Sequence, residues 1–199
     1  MGRVARGATS QVSYGRADLE DALAAGDLDL AVVPVLEGAA PRGSEAFVRR
    51  TLFRDGFRCF LRAGHPALET WSLDGWLAHG HLLVAPSGRT GGLVDAVLAE
   101  HGRTRTVAVQ VEGFGVVPEL IAGTDLIVTA PTSLARLTRS RGVVDRPPPI
   151  ALPAHGIALL WHRRYHDDPS LGWLMAQLDA ALSGRVPVDV SADEEEARA

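Results

Sequence analysis

Apolar residues along this chain fall into short runs that switch between helical and extended spacing. Gln11-Val12-Ser13-Tyr14 alternates as a short strand, and residues 17–25 place Leu19, Ala22 and Leu23 on one helical face before Gly26, a stop signal. Leu28-Asp29-Leu30-Ala31-Val32-Val33 follows, nearly continuous in apolar character and ending at Pro34. A strand apolar on both faces that follows a helix predicts a parallel sheet covered on both sides. Residues 37–44, with Gly38, Pro41 and Gly43, read as a loop; residues 47–62 read as extended chain interrupted by Arg54-Asp55-Gly56, whose Asp-Gly pair signals a turn or hairpin.

After the break at His65-Pro66, the elements come in quick succession. A helix is expected around residues 73–77, a strand at 81–84, a glycine-rich loop at 87–92 and a helix at 93–101 stopped by Gly102. Residues 106–111 alternate as a strand, 118–122 form a short helix closed by Gly123, and 125–129 form another apolar strand, which makes a second run of βαβα units. Residues 140–149, with Gly142 and Pro147-Pro148-Pro149, have the stiffness of a crossover. A strand at 157–161 then leads to Asp168-Pro169, an N-cap and first helical position for a helix carrying Leu171, Leu174, Met175, Leu178 and Leu182. The acidic segment 185–199 is expected to be a disordered tail.

Composition narrows the chemistry. A formal net charge of -4 gives this chain no electrostatic attraction to DNA or to an anionic membrane surface. The 20 basic residues are all arginine, so Schiff-base and P-loop lysine chemistry are excluded. The single cysteine, Cys59, lies in the apolar stretch Phe57-Arg58-Cys59-Phe60-Leu61, the setting of a buried, reduced thiol. No apolar run reaches the length of a membrane helix and the start lacks a signal-peptide core, so a cytoplasmic location is expected.

Candidate ligand contacts cluster at strand ends and in glycine-containing loops. In Ser87-Gly88-Arg89-Thr90-Gly91-Gly92, backbone N–H groups at a helix start can receive a carboxylate, with Ser87, Arg89 and Thr90 as added donors; a plain flexible turn is the alternative. Val33 and Pro34, and Thr129 and Pro131, follow apolar strands, where open α/β sheets line their ligand crevice or where strands simply end. Phe114, between Gly113 and Gly115, is placed to stack on an aromatic ligand or to fill a core. His79 and His81 form half a metal site with no third ligand at motif spacing, and no catalytic constellation is visible, so neither a metal, a cofactor nor catalysis is expected. The run Arg49, Arg50, Arg54, Arg58 and Arg62 reads as a solvated strand face.

Three passages together resemble the effector-binding domain of LysR-type transcriptional regulators, in the branch of nodulation and aromatic-degradation regulators. They are Ala22-Leu23-Ala24-Ala25-Gly26-Asp27-Leu28-Asp29-Leu30-Ala31-Val32, then Phe60 through Leu68 around Gly64-His65-Pro66, and finally Ile157 through His162 leading to Asp168-Pro169 and Trp173-Leu174. The cadence of residues 111–131 is similar to the same branch. The resemblance implies a two-lobed, periplasmic-binding-protein-like (type 2) α/β fold with mixed sheets flanked by helices. It divides the chain into a first lobe from 11–62 plus 150–184 and a second lobe from 63–149. It also implies a small-molecule effector held between the lobes, with the loop of Ser87, Arg89 and Thr90 bordering the cleft, and a homo-oligomer formed through the sensing domain.

Members of that family begin with a winged helix-turn-helix, and their sensing domain opens with a strand and helix before the position matching Gln11. By that pattern the first lobe is expected to be incomplete and DNA contact to require a domain absent from this chain. A free-standing solute-binding protein of the same fold, or a small α/β enzyme, are the alternatives.

Overall fold

The computed structural model describes residues 18–36, 45–86, 92–138 and 140–182. Within them the chain runs α1 (Leu19–Ala25), β1 (Ala31–Leu36), β2 (Phe47–Asp55), β3 (Phe57–Arg62), α2 (Leu73–Leu77), β4 (Gly80–Val84), α3 (Leu93–Glu100), β5 (Thr106–Val111), α4 (Val117–Ala122), β6 (Ile127–Pro131), α5 (Ala135–Thr138), β7 (Val143–Arg146), β8 (His155–His162) and α6 (Pro169–Leu182). Short 3-10 turns connect several of these elements. The strands form two sheets, one of order β1-β8-β2 and one of order β5-β4-β6-β3-β7. Among the described residues no helix is long and apolar enough to cross a membrane.

The smaller sheet departs from the parallel arrangement expected around residues 28–33. Both β1 and β2 run antiparallel to the central β8. The reason is connectivity: β8 arrives from more than a hundred residues downstream, a partner that no local pattern announces. As an edge strand, β1 is covered unevenly, with Val32 52% exposed while Ala31 packs with Leu23 and Leu160 beneath α1. It also continues through Pro34 to Leu36, so the strand ends two residues later than the proline suggests; proline is tolerated on an edge.

The larger sheet carries the expected βαβα run. Strands β5, β4 and β6 are parallel neighbours, and β3 joins antiparallel to β6. Strand β7 closes the other edge, inside the segment 140–149 that reads as extended crossover in the sequence. Asp55-Gly56 is not a hairpin. β2 and β3 do not pair with each other; the chain leaves the small sheet at Asp55 and enters the large one at Phe57, and it returns between Arg146 and His155. The change of sheet therefore falls at Gly56, ahead of the boundary expected after Arg62.

Two apolar layers cover the large sheet. Cys59, Leu61, Trp76, Val94, Leu98 and Ile127 form one, and Phe60, Leu82, Val117, Ile121, Val128 and Leu134 form the other. The alternation of Cys59, Phe60 and Leu61 between the layers is the period-two signature of a strand buried on both faces. The small sheet packs Leu159 and Trp161 against Leu171 of α6. Asp168 caps α6, its Oδ1 accepting the N–H groups of Ser170 at 2.8 Å and Leu171 at 3.0 Å.

Helix α1 ends as the sequence predicts. Gly26 adopts a left-handed φ of 89° and its N–H returns to Ala22 O. The guanidinium of Arg164 donates to the carbonyls of Leu23 and Ala24 at the same helix end, where positive charge is favoured. A Cβ at position 26 meets Tyr165 Oη at 3.0 Å in addition to the strain of positive φ. Gly26→Ala is expected to lower unfolding stability by about 1–2 kcal/mol, read from urea denaturation; an unchanged midpoint would show that the turn relaxes away from the left-handed region.

Candidate functional site

The register of the two sheets brings a set of chain ends together. In the small sheet, Leu36, His155 and Asp55 stand in one row at one end. In the large sheet, Phe57 stands opposite Pro131, and the ends of β4 and β5 lie beside each other, with Ala85 N–H donating to Val111 O at 2.8 Å. Because β4, β5 and β6 are parallel, their carboxyl ends all lie at this end of the sheet, where α/β sheets carry ligand crevices. The facing ends therefore present Ala85-Pro86, Glu112-Gly113-Phe114 and Pro131-Thr132-Ser133 from the large sheet, and Asp55 and His155 from the small one.

A short polar cluster ties the two sheets. Asp55, buried at the last position of β2, accepts the Gly56 N–H through Oδ1 at 2.9 Å and the Ser133 N–H through Oδ2 at 3.4 Å. Thr132 N–H donates to Gly56 O at 2.9 Å. His155, directly across from Asp55, is 3% exposed; its ring lies 4.5 Å from that of Phe57, and its Nδ1 has no hydrogen-bond partner among the described residues. Burial pushes the His155 pKa below its ordinary value, and the carboxylate of Asp55 partly offsets that.

The residues singled out from the sequence distribute unevenly. Pro131 lies at the facing strand end, and Phe114 follows β5 there, half-buried against the layer of Phe60 and Val117. Thr129 sits two residues further in, its hydroxyl 3.3 Å from Cys59 Sγ. Val33 and Pro34 pair with Ala158 and Ile157 in mid-strand, and Val33 packs with Leu23 and Ala31, because β1 runs on to Leu36. Ser87, Arg89 and Thr90 lie outside the described residues. Asp55 and His155 were not legible as a pair: an aspartate before a glycine reads as turn chemistry, and a lone histidine opening an apolar strand carries no spacing signal.

The other histidines and the thiol have structural partners. Burial raises the Cys59 thiol to about 12, which keeps it protonated and unreactive. His65 accepts the Ala67 N–H on Nδ1 at 3.0 Å and donates from Nε2 to Asp125 O at 3.1 Å, so its neutral tautomer is fixed. His81 is buried with Nε2 donating to Trp76 O at 3.1 Å. Among the described residues no group of three or more His, Cys, Asp or Glu side chains is arranged to hold a metal ion. The arginine run is largely paired: Arg50 with Asp179, Arg58 with Asp145 and Arg62 with Asp125, at 2.8, 2.8 and 2.6 Å.

Comparison with known proteins agrees with this architecture. Residues 10–183 match the family described as LysR substrate binding domain. The chain is 35% identical over 162 residues to the HTH-type transcriptional regulator SyrM of Rhizobium meliloti (strain 1021), covering 79% of this chain and 48% of that one. It is 32% identical over 167 residues to the HTH-type transcriptional activator NahR of Pseudomonas putida, covering 83% and 54%. A crystal structure of a probable transcriptional regulator from Pseudomonas aeruginosa superposes with a TM-score of 0.70 at 31% identity, covering 80% of this chain and 51% of that one. The chain thus spans about half the length of these regulators. A two-sheet α/β chain, matched by that family over all of its described residues, belongs to the LysR substrate-binding-domain family.

Proposed function

We propose that this chain is a non-enzymatic sensing module whose two lobes, one built on each sheet, close on a small aromatic or carboxylate effector. The observation that carries this reading is the meeting of both sheets' strand ends at one place, with two chain crossings between the sheets among the described residues. Two-lobed closure needs few connections and a ligand-sized gap flanked by loop ends. Phe114 supplies an aromatic face, and the exposed side chain of Ser133 supplies a polar contact. Ser87, Arg89 and Thr90 are further donors for a carboxylate by residue type and position in the sequence.

In the longer protein, effector-driven closure re-angles a DNA-binding domain that is separate from this chain, and a homo-oligomer transmits the change. A regulator of this kind acts in the cytoplasm. The chain alone is expected to leave DNA unshifted on a gel.

The direct test is calorimetry and thermal unfolding against a panel of aromatic and aliphatic carboxylates, with benzoate as first probe. A ligand present at 100 times its Kd stabilises by about 2.7 kcal/mol. For a domain of this size that raises Tm by about 5–10 °C. Saturable stabilisation with the ligand recovered unchanged is expected; conversion of the ligand to product would overturn the sensing role.

A further inference from the structure

The first crossover between the sheets holds a carboxylate and a buried imidazole side by side, which the effector-binding reading does not use. Asp55 and His155 are cross-strand partners. Side chains so placed have Cβ atoms about 4.5–5.5 Å apart on one face, within reach of an ion pair. Each also touches the other sheet's chain. Asp55 Oδ2 takes the Ser133 N–H at 3.4 Å, at the long limit of a hydrogen bond, and the His155 ring packs on Phe57, the first residue of the large sheet. The contact most easily given up is therefore the one that joins a side chain of the small sheet to the backbone of the large one.

We propose that Asp55 and His155 form a proton-operated latch between the lobes. With His155 neutral, Asp55 holds the start of the turn at Thr132–Leu134. A proton taken from solvent onto Nδ1 makes the ring a cation, draws the Asp55 carboxylate across the small sheet, and frees the Ser133 N–H. The inference rests on the two-lobe reading above.

The surroundings favour this pair over other titrating groups. Strand β1 brings no charged residue to His155, and neither does the turn Thr132–Leu134. On β3 the nearest charge, Arg58, is bound to Asp145 Oδ2 at 2.8 Å, and on β2 Arg54 is exposed and has a partner of its own. His162 lies at the opposite end of β8. The depressed basicity of His155 keeps the latch shut near neutrality and sets its release on the acid side of an ordinary histidine.

The test uses the full chain in solution. Residual dipolar couplings are fitted separately to backbone amides of 47–55 with 155–182, and of 57–146, at about pH 7.5 and about pH 5, while the His155 ring is titrated by NMR. The expected result is a relative reorientation of the two alignment frames that follows the His155 titration and is lost in His155→Gln. Asp55→Asn provides a second variant should the first fold poorly; it is expected to lose the reorientation as well and to move the His155 titration to still lower pH. Reorientation that survives in His155→Gln would overturn the latch, as would titration of His155 without reorientation. A single frame fitting both sets under every condition would remove the mobile two-lobe reading and the latch with it. Two independent frames that ignore pH would remove the latch alone.

Discussion

Lowering the pH from about 6.5 to about 4 is expected to remove about 3 kcal/mol of folding stability through His81 alone. Burial moves the pKa of this residue from 6.5 to about 4, with the nearby Arg105 guanidinium acting in the same direction and the hydrogen bond to Trp76 O against it. The unfolded chain therefore takes up the proton first. The contribution is fully present above the unfolded value of 6.5, declines as pH falls, and is gone once the folded value is passed. His65 and His155, both lowered by burial, tilt the curve the same way. Asp95 and Asp125 are lowered from an ordinary carboxylate value, so their contributions fade only at still lower pH and leave this window to the histidines. Urea midpoints followed by tryptophan fluorescence check the slope. His81→Gln is expected to flatten it by about 3 kcal/mol across the range; an unchanged slope in that variant would show that His81 is solvated in the folded chain.

The features that were legible in the sequence are those fixed by neighbouring residues. Gly26 and Asp168 obey helix-end chemistry that operates over a few positions, and both behave as their spacing predicts. The parallel arrangement of β4, β5 and β6 was readable because each strand is followed by a helix that must cross over the sheet. What was not legible depends on partners far along the chain. Residues 28–33 carry the apolar run of a parallel strand, yet only Ala31, Val32 and Val33 of them enter β1, and they pair antiparallel with a strand whose residues lie more than a hundred positions away. Asp55-Gly56 has the local signature of a hairpin, but each flanking strand finds a better-buried partner in a different sheet: β2 on β8, β3 between β6 and β7.

The site follows the same division. Pro131 could be placed because a strand's carboxyl end is visible in its own residues. Val33 and Pro34 were placed too near the end because the proline, allowed on an edge, does not stop β1. His155 and Asp55 meet through sheet register alone, which no local spacing of residues encodes. Buried polar groups are the residues most often set by such long-range pairing, since each needs a partner that only the fold supplies.

The same principle makes Asp95→Ala the most damaging single change expected in the large-sheet half. Arg105 is 2% exposed along its side chain and donates from Nε to Asp95 Oδ1 at 2.8 Å and from an Nη to Oδ2 at 3.0 Å. Asp95 Oδ2 also receives the Gly92 N–H at 2.8 Å at the start of α3, and the arginine holds its carboxyl below the usual range. Removing the carboxylate leaves a guanidinium buried without a counter-charge, a loss of about 3–5 kcal/mol, or roughly 6–20 °C in Tm for a chain of this size. Arg105→Met in the same background takes away the stranded charge, and the double variant is expected to recover much of the loss, since an apolar replacement of a buried pair is often neutral. Because Arg105 also depresses His81, Arg105→Met on its own is expected to raise the His81 pKa and shorten the acid-sensitive window. Gly92 lies at the entry to α3, so the pair also holds the backbone where that helix begins. Asp95→Asn keeps an oxygen for the Gly92 N–H while losing the charge, and is expected to fall between the parent and Asp95→Ala in urea midpoint. An Asp95→Ala protein within about 1 kcal/mol of the parent would mean that water reaches Arg105 and that the pair is not the anchor of α3.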